Sequence, residues 1–407
     1  SLPLNAPEIL SIDFPTILTP DGRKQPGIIR FRAADTDVTL LRLEVIDAKE
    51  FANQEFELRQ YGRRDLLGPT REGRYEFTLG TEVPQEVRLR AILIDKLGRK
   101  SQPKEFTFFV EGICVSPEPP APCEVVFVSQ WGRNGSGQGE FKSPRHLAVD
   151  KQRNVYVADT ENHRIQKFDS NGNFLAAWGS YGSQEGQFRD PSGVTIDREG
   201  NLYVADALNH RIQKFSPQGT FLQSWGVFGK GPRQFYTPYA VAADIRGNLF
   251  VADTSNHRVQ KYDFQGNLLG SWGEYGDLSG KFKYPRGIAA DNKGSVYIAE
   301  GENHRVQKFD NDGNFSAVWG SKGHTTGQFN APWGIGVDPK GNIYVVDSGN
   351  SRIQKFDASG RFLVGWGRFG NAEGEFANPT GIAVDDQGFV YVSDSGNHRI
   401  QKFWVNK

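Results

Sequence analysis

Five of the chain's seven histidines stand in one short string, and each is followed directly by an arginine. The string reads NHRIQKF at 162–168, 209–215 and 397–403, with close variants at 256–262, 303–309 and 350–356. Imidazole is a common metal ligand and acid–base group, so these positions are the first candidates for chemistry. A catalytic site needs several different groups converging on one point, whereas this string supplies the same groups six times. The repetition therefore favours a structural role.

Each residue of the string also has a structural role that its chemistry explains. Asp159 ends a predicted strand and can accept turn N–H groups, and Asn162 suits the turn conformation. Arg164 opens the next predicted strand close to Asp159, where a charge-assisted pair would hold the hairpin. The fifth copy has Ser351 in place of histidine and keeps the neighbouring Asn and Arg. We interpret the string as scaffold; a ring of His and Arg contacts to a symmetric ligand, or a histidine metal site, is the alternative.

An internal repeat of 47 residues dominates the second part of the chain. The dipeptide WG occurs at this step six times, from Trp131 to Trp366, and phenylalanines from Phe141 to Phe376 keep the same spacing. Each unit reads as four short strands, which in the first unit are HLAVD, VYVAD, HRIQKF and FLAAWG. Apolar residues occur on both faces of these strands, so each sheet needs a neighbour on both sides. The radial stacking of a β-propeller supplies them.

The two ends of the repeat region predict how the ring closes. The last unit stops after its third strand, and an orphan fourth-type strand precedes the first unit. We therefore predict a six-bladed propeller over 125–407 in which 125–131 closes the sixth blade and leaves no spare edge. The units follow the pattern GxFxxPxGIAVDxxGNxYVADxxNHRIQKF and resemble NHL repeats of the bacterial type. The resemblance implies a six-bladed propeller and a binding role, since NHL propellers are mostly binding modules.

Residues 1–112 lack the 47-residue step and follow a different pattern. Seven plausible strands, separated in several places by turn signals, predict an immunoglobulin-like β-sandwich, so the whole chain reads as all-β. This part resembles the immunoglobulin-like modules common on bacterial exported proteins. Residues 113–124 read as a Pro-rich linker between the two domains.

The linker carries both cysteines of the chain. Cys114 and Cys123 flank the sequence VSPEPPAP, and a disulfide between them would persist only in an oxidising compartment. Two reduced thiols are the alternative. Together with the immunoglobulin-like resemblance, the cysteines favour an extracytoplasmic location: periplasmic, secreted or cell-surface. The chain begins with Ser1 and contains no Met, so we expect the start of the chain, with any export signal, to be missing.

Composition limits the classes of partner. The 48 Lys and Arg balance the 48 Asp and Glu, which argues against strong attraction to nucleic acid or anionic lipid. No apolar run approaches the roughly 18–20 residues of a membrane span. We expect a monomer without an integral membrane segment.

Positions that differ between units are the candidate binding residues. The residue after the repeat's proline enters the innermost strand beside the central opening, on the face where the blade-to-blade loops emerge. We call this face the top face. Aromatic and arginine side chains are typical interface anchors, and five of them fall in blades three to five, with a sixth in blade one. These candidate ligand-binding residues are Arg145, Tyr236, Tyr239, Tyr284, Arg286 and Trp333. The alternative is that Tyr239 and Trp333 merely plug the opening.

We expect a non-enzymatic binding or scaffold module whose top face docks a protein, peptide or glycan, without metal or cofactor. An amidating lyase resembles this fold and uses zinc held by histidines. This chain has only His146 and His324 outside the repeated string, too few for a three-histidine site. Some NHL propellers of the tripartite-motif family bind single-stranded RNA on a basic top face. Here 31 Lys and Arg against 28 Asp and Glu over 125–407 provide little positive charge for that role.

Overall fold

The computed structural model describes residues 125–405 throughout and, before them, the backbone of eight strands within 8–114. Seven of these strands form two antiparallel sheets. The sheets run in the orders Glu8–Asp13, Gly27–Arg32, Glu72–Phe77 and Glu55–Arg59, Val38–Asp47, Gln85–Asp95, Lys104–Val110. The eighth strand, Ile113–Cys114, lies in the predicted linker and pairs with Val125–Trp131. The immunoglobulin-like sandwich and the Cys114–Cys123 disulfide depend on residues outside this description and stay predictions.

The repeat region forms six sheets, so the predicted six-bladed all-β propeller is confirmed. Five of them are built from four consecutive strands, while the sixth joins the last three strands of the chain to Val125–Trp131. The innermost strands are Pro144–Val149, Pro191–Ile196, Pro238–Ala243, Pro285–Ala290, Ile335–Val337 and Pro379–Val384. The second strands are Val155–Asp159, Leu202–Asp206, Asn248–Asp253, Val296–Glu300, Ile343–Asp347 and Phe389–Asp394. The third strands are Arg164–Phe168, Arg211–Phe215, Arg258–Asp263, Arg305–Phe309, Arg352–Phe356 and Arg399–Val405. The outermost strands are Phe174–Trp178, Phe221–Trp225, Leu268–Trp272, Phe315–Trp319, Phe362–Trp366 and, in the sixth sheet, Val125–Trp131.

Short elements connect these strands on the top face. A 3-10 turn joins the second strand to the third in five blades, at Thr160–Asn162, Ala207–Asn209, Thr254–Asn256, Ser348–Asn350 and Ser395–Asn397. The blade-to-blade loop includes a short parallel pair in blade three, Val227–Phe228 with Gln234–Phe235, and single bridges at the equivalent places elsewhere. These two kinds of connection carry most of the chain's differences between blades.

The core between blades is built around the repeated tryptophan. Trp178 of blade one packs on Tyr156 of its own blade and on Phe215 of blade two, with ring centroids 6.2 and 6.3 Å apart. Gly219 turns the chain over this indole with a φ of +85°, and a Cβ there would lie 2.7 Å from the ring. Burial of each large aromatic side chain contributes about 1.5–3 kcal/mol, so these contacts hold neighbouring blades together.

The contacts between blade six and blade one match those inside the ring. Trp131 packs on Tyr391 at 6.3 Å and on Phe168 at 6.0 Å, as Trp178 does one blade further on. The Lys402 ammonium donates to the carbonyl of Ser170 at 3.1 Å, just as other blades are linked by the equivalent lysine. Blades six and one therefore adjoin, and the ring is continuous. Among the described residues no helix is long and apolar enough to cross a membrane.

Candidate functional site

The repeated aspartate is buried and collects a dense set of donors. In blade one, Asp159 accepts hydrogen bonds from Arg164 Nε at 2.7 Å and Gln166 Nε2 at 3.0 Å. Asn162 Nδ2 and the backbone N–H of Lys142 donate to the same carboxylate. The rest of the Arg164 guanidinium donates to the carbonyls of the blade-to-blade loop, at Ser136, Gly137 and Glu140. The network ties both top-face connections of a blade together.

Burial shifts the ionisation of this aspartate. The pKa values of Asp206, Asp253 and Asp394 are raised by burial, which outweighs the hydrogen bonds and arginine charge that favour the ionised form. Every donor set of this kind is complete within its own blade, which leaves no open position for a substrate. These contacts agree with a structural role for the string, which stays an interpretation.

The structure refines the role of Asn162 in that interpretation and corrects the role of Asp159. The residue in the left-handed conformation is His163, with a φ of 54°, while Asn162 lies inside the 3-10 turn. Asp159 makes no cap hydrogen bond to the turn, because its oxygens are used by Lys142, Asn162, Arg164 and Gln166 instead. Gln166 belongs to the network and was missed, although its recurrence in all six strings was a signal for it.

The repeated histidine joins one blade to the next. The Nδ1 atom of His257 in blade three accepts a hydrogen bond from the Tyr284 backbone N–H at the entrance to blade four, at 3.2 Å. The same bond, with lengths of 3.0–3.3 Å, is formed by His163, His210, His304 and His398. The acceptor role requires neutral imidazole, and burial lowers the pKa of His210, His257 and His304. The histidine is therefore an inter-blade link rather than an open ligand.

Four of the six predicted site residues meet at the centre of the top face. The Arg145 guanidinium lies 5.3 Å from the centre of the Tyr239 ring, which lies edge-on to Trp333 at 6.2 Å. The Arg286 guanidinium lies over the Trp333 ring, 4.4 Å from its centre. These residues come from blades one, three, four and five. Non-adjacent blades approach each other only at the axis, so Arg145, Tyr239, Arg286 and Trp333 form one group at the channel mouth, here called the mouth cluster.

Irregular features of blades four and five make room for this cluster. Blade four has Gly301 where other blades have Thr, Ala or Ser, and a Cβ there would lie 3.1 Å from Cδ and Nε of Arg286. The innermost strand of blade five begins only at Ile335, although the Trp333 N–H donates to the Val346 carbonyl and the Val346 N–H donates to the Gly334 carbonyl. Gly301 was missed by sequence reasoning, although its departure from the repeat marked it.

Polar atoms beside the cluster lack partners. Nη1 of Arg145 and Nε2 of His146 are both buried and form no hydrogen bond with any described residue. Burial and, to a smaller extent, the charge of Arg145 lower the pKa of His146 to about 4. The other blades have Gly or Ala at the position of His146, because the innermost strands approach closely there. His146 is thus a departure from the repeat at the axis.

The remaining two predicted residues lie further out and do not join the cluster. Tyr236 is exposed and packs on Phe228 at 5.2 Å and His210 at 5.9 Å. Tyr284 is half-buried and packs on His257 at 4.6 Å. Exposed aromatic side chains surround these positions, and with Tyr236 we call them the rim aromatics: Tyr181, Phe228, Tyr236, Tyr275 and Phe369. Their signal in the sequence is an aromatic residue three positions after the repeated tryptophan in four loops.

Over residues 125–405 there is no group of three His, Cys, Asp or Glu side chains placed to hold a metal ion. His146 lies at the axis, whereas His324 is exposed in the loop that leads to blade five.

Comparisons with known proteins agree with this architecture. The NHL repeat model matches residues 141–168, 188–215, 235–262, 282–309, 329–356 and 376–403. Protein brain tumor of Drosophila melanogaster is 41% identical over 51 residues, which are 12% of this chain and 5% of that protein. This chain thus matches only a small part of that relative.

Solved structures show the same fold at low identity. A Bacteroides thetaiotaomicron protein of unknown function is 17% identical with a TM-score of 0.55, and the match covers 99% of both chains. A gluconolactonase of Xanthomonas campestris is 13% identical with a TM-score of 0.50, covering 66% of this chain and 88% of that one. At such identities the likeness concerns the fold alone. The chain therefore carries six NHL repeats, and these repeats form a six-bladed β-propeller.

Proposed function

We propose that the propeller is a non-enzymatic binding module whose top-face rim docks a polypeptide partner. The observation that carries the proposal is the exposure of the rim aromatics. Phe228 and Tyr275 are 63% and 61% exposed, and Phe369 is 78% exposed. Val227 and Leu278 add exposed apolar surface in the same loops. Contiguous exposed apolar groups on a soluble protein mark interaction sites, and aromatic residues dominate the energy of such sites.

The rim is also stiff, which favours affinity. Four of the five rim rings pack against an inter-blade histidine, and Phe369 is the exception. Tyr275, for example, lies 4.9 Å from His257, and Lys283 lies 5.7 Å from the Tyr275 ring centre. Side chains held in place before binding lose little entropy on association. A peptide or protein surface with apolar side chains fits this rim best, and a glycan that stacks on the rings is the related possibility within the same binding class.

Single-stranded RNA is the second candidate, since nucleobases stack on exposed aromatic rings. The cations beside Tyr181 and Tyr275 favour it. The gluconolactonase likeness concerns fold and supplies no catalytic group here. We also propose that the protein is a monomer and that it lies in an extracytoplasmic compartment. The proposed compartment rests on the cysteine pair and the immunoglobulin-like prediction.

The test selects binders from a random peptide library on the full chain and measures their affinity for two matched double variants. Phe228→Ser with Tyr275→Ser removes two rim aromatics, while Leu222→Ser with Leu269→Ser removes apolar side chains that are 49% and 53% exposed on the outermost strands. We expect the rim variant to lose at least about 10-fold in affinity, and the outer-strand variant to bind like wild type.

Equal affinity for wild type and the rim variant would refute rim docking. A parallel selection from a single-stranded RNA library that yields binders where the peptide library yields none, with affinity that falls steeply with salt, would favour the second candidate.

A further inference from the structure

We propose that the channel mouth binds an oxyanion, a carboxylate or phosphate group, between Arg145 and Arg286. The site is separate from the rim aromatics, so this proposal does not depend on whether the rim docks a polypeptide. Arg145 enters from blade one and Arg286 from blade four, which are opposite each other in a six-bladed ring. The two guanidinium groups thus face a common opening.

Neither arginine has an acceptor in the described part of the chain. Arg145 and Arg286 form no hydrogen bond and no ion pair there, although both are largely shielded from solvent. The contrast with the repeated arginine is sharp, since Arg211 donates four hydrogen bonds and pairs with Asp206. Buried polar groups are nearly always satisfied, so the buried and unpartnered Nη1 atom of Arg145, with the unpaired Arg286 guanidinium at the same opening, indicates a missing acceptor.

A second set of observations points to the same place. The buried Nη1 atom of Arg145 and the buried Nε2 atom of the next residue, His146, both lack partners, and the charge of Arg145 acts on His146. The environment keeps His146 neutral, so its ring can donate one N–H to an oxygen without adding a second charge. The charge of Arg145 also opposes that of Arg286, which an anion between them would relieve.

Aromatic neighbours hold the arginines in position and define the rest of the ligand. Arg145 makes a cation–π contact with Tyr239, and Arg286 makes one with Trp333. Gly301 leaves the space through which the Arg286 side chain passes. A cationic ligand would meet two like charges here. Glu302 is the acid whose charge acts on Arg286, and it is exposed and forms no hydrogen bond with described residues. The site therefore fits an oxyanion attached to a flat or apolar body.

The experiment titrates the full chain with benzoate, with inorganic phosphate and with benzyl alcohol, and follows binding by calorimetry. We expect saturable binding of one or both anions and no binding of the uncharged alcohol. Preference for benzoate would identify a carboxylate ligand, and preference for phosphate a phosphorylated one. Absence of saturable binding of both anions up to about 10 mM, a concentration above weak millimolar affinity, would overturn the proposal.

Variants test the residues. Arg145→Gln and Arg286→Gln should each weaken anion binding at least about 10-fold, and Arg361→Gln, which removes an exposed arginine paired with Asp357, should not change it. Arg286→Lys keeps the charge but not the planar fork, and should bind with intermediate affinity. Anion affinities are compared only for variants whose melting temperature matches that of wild type.

The Phe228→Ser/Tyr275→Ser variant should bind the anion like wild type, which separates this site from the rim. Equal anion affinity in wild type and both glutamine variants would place any observed binding elsewhere and overturn the proposal.

Discussion

The Nδ1 atom of His257 accepts a hydrogen bond from the backbone N–H of Tyr284 at 3.2 Å, and this bond crosses from blade three to blade four. Tyr284 has a φ of 49°, an unfavourable backbone conformation for a non-glycine residue that the bond helps to hold. The repeated histidine therefore stabilises the start of the next blade. Blade five has Ser351 instead, and its neighbouring blade keeps the same backbone conformation at Asn378 without this bond.

Acid should weaken the propeller through these histidines. Burial lowers the folded-state pKa of His210, His257 and His304, so the unfolded chain binds more protons below the ordinary histidine pKa of about 6.5. The contribution of these histidines to stability is fully present above that pH. It is lost as the pH drops toward the folded-state pKa values, and buried His146, whose pKa is lowered to about 4, acts in the same direction. Urea unfolding at a series of pH values measures this slope.

Substitution of one histidine isolates its share. We expect His257→Ser to lower the free energy of unfolding at pH 7.5 by about 0.5–1.5 kcal/mol and to reduce the loss between pH 6.5 and 5. His324→Ser, at an exposed loop position, is the matched control and should leave both unchanged. A pH slope identical in wild type and His257→Ser would contradict the assignment.

Loss of the repeated arginine should be far more damaging than loss of a surface arginine. Arg258→Ala would leave the buried Asp253 carboxylate without its cation, so we expect a loss of about 3–5 kcal/mol. Arg361→Ala removes a pair in which the arginine is mostly exposed, and should cost about 0–1 kcal/mol. Chemical denaturation of the two variants checks this difference, and similar losses would show that the network contributes little.

Ring closure can be tested by comparing two tryptophans. Trp131 and Trp178 occupy equivalent positions, so Trp131→Ala and Trp178→Ala should each cost about 3–5 kcal/mol. Deletion of 125–131 should lower the melting temperature severely. A Trp131 variant as stable as wild type, or a deletion with an unchanged melting temperature, would mean that 125–131 does not close the sixth blade.

Gly301→Ala should displace Arg286 from Trp333, because the new Cβ would lie 3.1 Å from the arginine side chain. We expect the tryptophan emission of Gly301→Ala to differ from that of wild type. In a Trp333→Phe background the same substitution should leave the emission unchanged. Stability should fall by about 1–3 kcal/mol at most, as for a modest overpacking. Gly270→Ala is the control, since a Cβ there meets no atom within 4 Å. Unaltered emission in Gly301→Ala would show that Arg286 does not depend on this space.

Much of the fold follows from local sequence. Strand residues, turn glycines and the 47-residue step predict six four-stranded blades, because the pattern of hydrogen bonding and burial inside a blade is set by residues close in the chain. The Asp159–Arg164 pair was predictable for the same reason, since only five residues separate its members. The turn geometry was not, because three polar residues in a row could each adopt the left-handed conformation, and the structure selects His163.

The candidate site depends on tertiary structure. The sequence by itself determined that Arg145, Tyr239, Arg286 and Trp333 occupy the same position in different blades, next to the opening. It did not determine that Arg145 reaches Tyr239 and that Tyr239 reaches Trp333, because those contacts join residues about two repeats apart across the axis. Nor could it separate Tyr236 and Tyr284 from the mouth cluster. Repetition places equivalent residues in a ring, but side-chain length and the missing Cβ of Gly301 decide which of them meet.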